Sequence, residues 1–390
     1  MRQTAKAMKS NSPGAMPLTV DVLMATTSYP LDAADWKGRF IHDMAAGLDR
    51  SGGVRLRLWG PPGQLPGQVQ SANTTDDAAW LHQMAGEGGI AHLLRRRPLT
   101  GVHYARELLG RLRSACRRNP PDLYHVNWLQ LLLGLPDDGR PVYVAVLGSD
   151  FGLLRLPGMR QLLRRTMQRR RVLLAPNAGW MAPRLQEAFG DLAEIRPNPF
   201  GVDPAWFDVR REPATPPLWL VVTRVTRAKL GYLFEWGDGL FGETRRLRLL
   251  GPMQERITLP DWVDYGGATS PPRLQAEEFP YASGLLTLSR HDEGRPQVMI
   301  EAMAAGLPVV ASDLPAHRDL VRDGETGWLV DNPARLRAAL SATEQPDVGR
   351  RIGERGRILT ASEIGTWDDH AHRCLTAYRQ LLQGTSRDDA

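Results

Sequence analysis

Short apolar runs alternate with amphipathic stretches along this chain, and the alternation predicts its elements. Residues 18–26 (LTVDVLMAT) alternate and then run apolar, which predicts a first strand. Residues 36–40 lead into a helix through Leu48; Gly52 and Gly53 break it, and residues 54–59 (VRLRLW) resume as a strand. A polar, Gln- and Thr-rich loop covers residues 63–79, with an interrupted helix over 77–97 and another over 103–117. Strands are predicted at 121–128, 141–147 and 172–176. Before the last of these, residues 159–171 (MRQLLRRTMQRRR) form a cationic helix with Leu162, Leu163 and Met167 on a helical spacing. Such a helix either lies on an anionic surface or packs its apolar stripe inward and shows Arg to water.

Residues 212–217 (EPATPP) read as a linker. Beyond it come strands at 218–223, 245–250 and 263–267, a short helix at 274–281 and a strand at 284–289. The run GDGLFG at 237–242 fits G-x-G-x-x-G, but a helical piece precedes it and a strand follows, so it reads as a loop. A helix over 297–305 opens behind Pro296, a residue with preset φ and no amide hydrogen, and Gly306-Leu307-Pro308 stops it. Residues 309–311 are the next buried strand, so strand, loop, helix and strand follow within one short span, as in a parallel βαβ unit. Helices at 334–341 and 347–359 follow, and residues 367–382 make a last amphipathic helix with Trp367, Cys374, Leu375, Tyr378, Leu381 and Leu382 on one side.

With 390 residues, the chain accommodates two domains with their own cores. The expected division is 18–210, a linker at 211–217, 218–365, and a final helix within 366–385; the polar stretch 1–17 is expected to be disordered. No apolar run reaches the length of a membrane span and no signal-peptide core stands at the N-terminus. Cys116 and Cys374 make neither a disulfide framework nor a zinc spacing, which fits a reducing cytosol. Charge is uneven: residues 1–210 hold 27 Lys and Arg against 18 Asp and Glu, while residues 211–390 hold 22 against 25. The basic half favours anionic partners such as a phospholipid surface or a diphosphate-linked lipid, unless its arginines are only a solvated face.

The loop before the 297–305 helix suggests chemistry. A first helical turn leaves amides unpaired and carries partial positive charge, so an anion can rest there. Glu293 precedes that turn and Glu301 lies within the helix, about 12 Å apart at helical rise. That is wider than the roughly 5 to 9.5 Å separating the two carboxylates of a glycosidase. It suits a ligand with hydroxyls at both ends and a diphosphate between them.

Glu293, seven intervening residues and Glu301, followed by Ala302-Met303-Ala304-Ala305-Gly306-Leu307-Pro308-Val309-Val310, resemble the donor-site signature of family 4 glycosyltransferases, the glycosyl transferases group 1. The resemblance also covers Gly324-Glu325-Thr326-Gly327-Trp328-Leu329-Val330; it is strong over 218–385 and collinear but weaker over 18–210. It implies an α/β GT-B fold, two Rossmann-like domains facing across a cleft with the last helix crossing back to the first. It also implies retaining transfer of a sugar from a nucleotide-sugar to an acceptor hydroxyl, in building cell-surface polysaccharide or glycolipid. On that pattern Glu293 would hold sugar hydroxyls and Glu301 the ribose, with Gly294, Arg295, Pro296, Gln297 and Val298 lining the turn between them. Arg224 and Lys229 match the cations that hold the diphosphate, Gly251 the turn over the nucleobase, and Gly38 the glycine at the head of the first helix.

The N-terminal match departs in two places. His125 matches the first histidine of a D-h-x-H-x-H pattern, but Asn127 replaces the second. Leu147 stands where many relatives have a histidine near the reacting carbon, and leucine cannot donate a hydrogen bond. Either Asp150 and His125 do the polar work there, or the sugar is gripped differently. No D-x-D occurs, so no metal or other cofactor is expected. The partners expected are a nucleotide-sugar donor and a lipid-linked or growing glycan, with no nucleic acid, in the cytoplasm or peripherally on the inner face of the plasma membrane. A sugar-nucleotide 2-epimerase, a phosphorylase-like enzyme and a non-catalytic subunit remain open alternatives.

Overall fold

The computed structural model describes residues 19–32, 35–148, 150–291 and 293–384; the polar stretch 1–17 and Ser149 lie outside them. Among the described residues the first sheet contains β1 (Val20–Ala25), β2 (Val54–Trp59), β3 (Gln70–Ser71), β4 (Leu123–Asn127), β5 (Val142–Val146), β6 (Val172–Pro176) and β7 (Glu194–Ile195). Their order is β3-β2-β1-β4-β5-β6-β7, all parallel. The chain winds outward from β1 to β3 and then returns to β1's other edge. That reversal opens a crevice at the carboxyl ends of β1 and β4, where doubly wound sheets take ligands.

The second sheet contains β8 (Leu218–Val222), β9 (Arg246–Leu250), β10 (Val263–Gly267), β11 (Gly284–Thr287), β12 (Val309–Ser312) and β13 (Trp328–Val330), ordered β10-β9-β8-β11-β12-β13. Its reversal lies between β8 and β11. Strands β4, β5, β6 and β12 are buried along their whole length, as parallel strands covered on both faces must be.

Local chemistry sets the helix bounds. Thr74 and Asp77 form a capping box on helix Thr75–Gly86. The next long helix runs Pro98–Arg118, starting earlier than apolar spacing indicates because Pro98 suits the first helical turn. A second capping box, Thr366 with Asp369, opens the last helix, Trp367–Gln383. Although it follows the second domain, that helix buries Trp367, Cys374, Leu375 and Tyr378 against Ile41, Met44 and Leu48 of the first. Gly47 permits the approach: a Cβ there would stand 2.6 Å from the Trp367 carbonyl oxygen. Two parallel-sheet domains with a last helix crossing back make the GT-B architecture.

The cationic helix spans Met159–Met167 and turns Leu163 and Met167 inward, leaving Leu162 47% exposed. Several arginines of this helix and of the turn after it are engaged by the protein: Arg164 pairs with Asp191, Arg169 with Asp137, and the Arg170 side chain is buried with its guanidinium 5.9 Å from the Tyr124 ring centroid. No helix among the described residues is long and apolar enough to cross a membrane.

Candidate active site

The second domain supplies a compact polar constellation. Past β8, Thr226 caps the turn Arg227–Leu230, accepting from the Lys229 amide at 3.2 Å. The cap fixes the turn from which the Lys229 side chain reaches Glu293 in the loop after β11, forming an ion pair in which both side chains are mostly buried. Helix Gln297–Ala304 begins just beyond, behind Pro296 at φ −70, and no side chain caps its first turn. Its open amides leave partial positive charge beside the Lys229–Glu293 pair. Gly251, at φ +133, ends β9; a Cβ there would collide with the Thr223 carbonyl oxygen, and the Tyr265 hydroxyl donates to the Gly251 carbonyl at 2.8 Å.

Glu301, half-buried on the same helix, feels the charges of Arg39 and Asp43 of the first domain and of Asp203. Burial, chiefly, together with the Asp43 and Asp203 carboxylates, pushes its carboxyl up to about 8, with Arg39 opposing. The sign of the linkage follows. Between the ordinary value of 4.5 and about 8 the folded protein holds a proton the unfolded chain has lost, so this group's contribution to stability falls as pH rises through that window. Glu301→Gln should therefore melt higher than the wild type at pH 8, by a few degrees, and the gap should close toward pH 4.5. Scanning calorimetry from pH 5 to 9 checks this; a gap that does not change with pH would show that Glu301 is ionised throughout.

From the first domain, Gly38 stands at φ +69 at the head of helix Arg39–Arg50. A Cβ there would lie 2.6 Å from Ser28 Oγ, so glycine lets the loop after β1 close on the helix start. Arg224 is exposed on the second domain, and its guanidinium lies 5.4 Å from the ring centroid of Trp36, across the crevice.

Two expected residues are not available to a substrate. His125 lies in the core: Nδ1 is 2.6 Å from the Tyr378 hydroxyl, and its ring packs edge-on to Tyr143 at 4.7 Å. Burial drives its imidazole down to about 3, so it is neutral at physiological pH. Strand β4 is buried on both faces, and residue 125 falls on the face that receives the last helix. Asp150 is buried too, its carboxylate oxygens accepting from the Leu129 and Leu147 amides at 2.6 Å each. It ties two loops together instead of presenting a polar group. Leu147 packs against the core shared with the last helix.

The residues after Glu293 meet the first domain directly or through Asp319, apart from Val298, which packs within the second domain. Gly294 lies against Gly148, where an added Cβ would come within 2.6 Å of the Gly294 Cα, and the Gly294 carbonyl accepts from Trp180 Nε1 at 2.7 Å. Arg295 pairs with Asp319, whose carboxylate also accepts the Gly179 and Trp180 amides at 3.1 and 3.0 Å. Gln297 donates to the Gly201 carbonyl at 2.9 Å, and Val298 packs on the second core. Sequence reasoning missed Gly148, Trp180 and Asp319. Gly179 and Asp319 are 140 residues apart, and neither stretch carries a pattern linking them.

Residues 237–344 match the family model described as glycosyl transferases group 1. Over 142 residues the chain is 32% identical to the D-inositol 3-phosphate glycosyltransferase of Acidothermus cellulolyticus, covering 36% of this chain and 30% of that protein. The chain thus spans under a third of that relative's length. Among solved structures it is similar to the sucrose-phosphate synthase of Thermosynechococcus elongatus, with TM-score 0.66, 15% identity, 93% of this chain and 99% of that one. Anabaena HepE in complex with UDP-glucose gives TM-score 0.61 and 13% identity over 92% of this chain and all of the other. At these identities the likeness is one of fold, while the family match falls on the domain that carries Lys229, Gly251, Glu293 and Glu301. Over residues 237–344 of that second domain the chain is thus similar to the glycosyl transferases group 1.

Proposed function

We propose that the chain transfers a sugar, with retention, from a nucleotide-sugar to an acceptor hydroxyl in building a cell-surface polysaccharide or glycolipid. The observation that carries this reading is the Lys229–Glu293 pair at the open amide end of the helix bearing Glu301. Lys229 and the amides would meet the negative charge that grows on a departing diphosphate. Arg224, exposed at the crevice, would add a second cation without a metal. Glu293 would turn to the sugar hydroxyls once Lys229 has a phosphate to bind, and Glu301 would meet the ribose. HepE, of the same fold, was solved with UDP-glucose, which supports a nucleotide-sugar donor. With His125 and Asp150 engaged inside the first domain, the diphosphate itself would receive the acceptor's proton.

A panel of UDP- and GDP-sugars, with and without EDTA, tests the reading. Release of nucleoside diphosphate that rises with an added lipid-linked or oligosaccharide acceptor, and an α-linked product from an α-linked donor, is expected. An epimerase would return an altered nucleotide-sugar without acceptor, and a non-catalytic subunit would consume none; either outcome ends the proposal. The acceptor side also bears on the membrane. Arg155, Arg160 and Arg165 are exposed near Leu156 and Leu162, which are 44% and 47% exposed, a combination suited to an anionic leaflet. Co-sedimentation with anionic but not neutral vesicles, lost at high salt and in the triple Arg→Gln variant, is expected. Equal recovery with both vesicle types would assign these residues to ordinary surface.

A further inference from the structure

Three hydrogen bonds across the crevice bear on the Glu293 loop, one directly and two through Asp319. Trp180 Nε1 donates to the Gly294 carbonyl, one residue beyond Glu293, at 2.7 Å. The Asp319 carboxylate accepts the Gly179 and Trp180 amides while pairing with Arg295, two residues beyond Glu293. One first-domain turn, Gly179–Met181, thus grips a second-domain loop both directly through an indole and indirectly through an aspartate. The turn is shaped for this: Gly179 has no Cβ, and one would stand 2.9 Å from Asp319 Oδ1. The indole is itself braced, 6.0 Å from the Phe151 ring centroid and 5.6 Å from the Arg184 guanidinium. The Arg295 and Asp319 side chains are 9% and 14% exposed, so their pairing is weakly screened.

We propose that Trp180 and Asp319 are positioning residues, a clasp that sets the Glu293–Arg295 loop only when the two domains are closed. This rests on the reading of Glu293 as a donor-site group. Neither side chain need touch the substrate. A donor binding the second domain alone would meet Lys229 and the helix amides, but Glu293 would reach its working position only after the first domain engages Gly294 and Asp319. Ordering of the loop and closure of the cleft are then one event, and the sugar is cleaved only where water is excluded.

Trp180→Phe removes one donor and keeps the ring contacts, and Asp319→Asn keeps the shape and removes the charge. Hydrogen exchange of the ligand-free full chain should quicken across residues 293–297 in both variants, on the opposite domain from Trp180, and Trp180→Phe, which leaves the Arg295–Asp319 pair intact, should melt near the wild type. With UDP- or GDP-sugar donors, kcat should fall by about tenfold or more while the donor KM stays within about twofold, because closure follows binding. Wild-type exchange across 293–297 in both variants, or an undiminished kcat, overturns the clasp. The exchange measurement needs no substrate, so loss of the clasp is told apart from failure of the functional reading, which a chain that turns over no nucleotide-sugar would show.

Discussion

Lys229→Ala should cut turnover of the nucleotide-sugar by roughly a hundredfold or more, the scale at which one preorganised donor to developing charge is lost. Two effects combine. The ammonium that would face the departing diphosphate is gone, and Glu293, mostly buried with Lys229 as its ion-pair partner, is left with its charge uncompensated. The second effect makes the loop carrying Glu293 turn toward solvent, so the damage extends to the group meant for the sugar. Lys229→Arg retains charge but presents a planar fork on a different stem, and it should restore only part of the rate. Steady-state kinetics with the wild type's best donor, beside a melting curve, decide the matter. Turnover within about threefold of wild type in a folded Lys229→Ala protein would remove Lys229 from the site.

The parts of this site that were legible in sequence are those encoded over short stretches. Glu293, Pro296 and Glu301 belong to one loop and one helix, so spacing alone relates them, and the structure adds that Lys229 arrives at Glu293 from the neighbouring β8 turn. His125 illustrates the limit. Strand β4 reads LYHVN, buried on both faces, so the alternation that would say which face is wet is absent, and only packing by Tyr378, far along the chain, shows the ring to be core. Asp150 misleads for another reason. A carboxylate after a strand looks free in sequence, but the loops it closes have amides to satisfy, and it satisfies two of them. The arginine runs divide likewise: Arg165 is exposed, while Arg170 is buried beside Tyr124. Charge counted along a sequence does not tell a surface from a brace.

The contact between Gly148 and Gly294 carries the other large expected effect. Gly148 sits at φ +90, and a Cβ on it would come within 2.6 Å of the Gly294 Cα and 3.0 Å of the Glu293 carbonyl carbon. Both obstacles are backbone, so no rotamer relieves them; the Glu293 loop must back away from the first domain by something near an ångström. A misplacement of about 1 Å can cost on the order of a hundredfold in rate, and that is the expected fall for Gly148→Ala. Because alanine at positive φ also strains the chain itself, the cleaner variant is Gly294→Ala. Gly294 lies outside the positive-φ region, yet its Cβ would meet Asn177 Oδ1 at 2.6 Å and the Leu147 carbonyl, so the consequence is steric alone. The nucleotide side of the second domain is unaltered in both. Affinity for free UDP or GDP, whichever the wild type binds, should hold within a few-fold in a calorimetric titration while turnover drops. Gly294→Ala with wild-type turnover would mean that the first domain need not approach this loop for the reaction to proceed, and a loss of nucleotide affinity as large as the loss of rate would place the damage in the second domain instead of at the contact between the two.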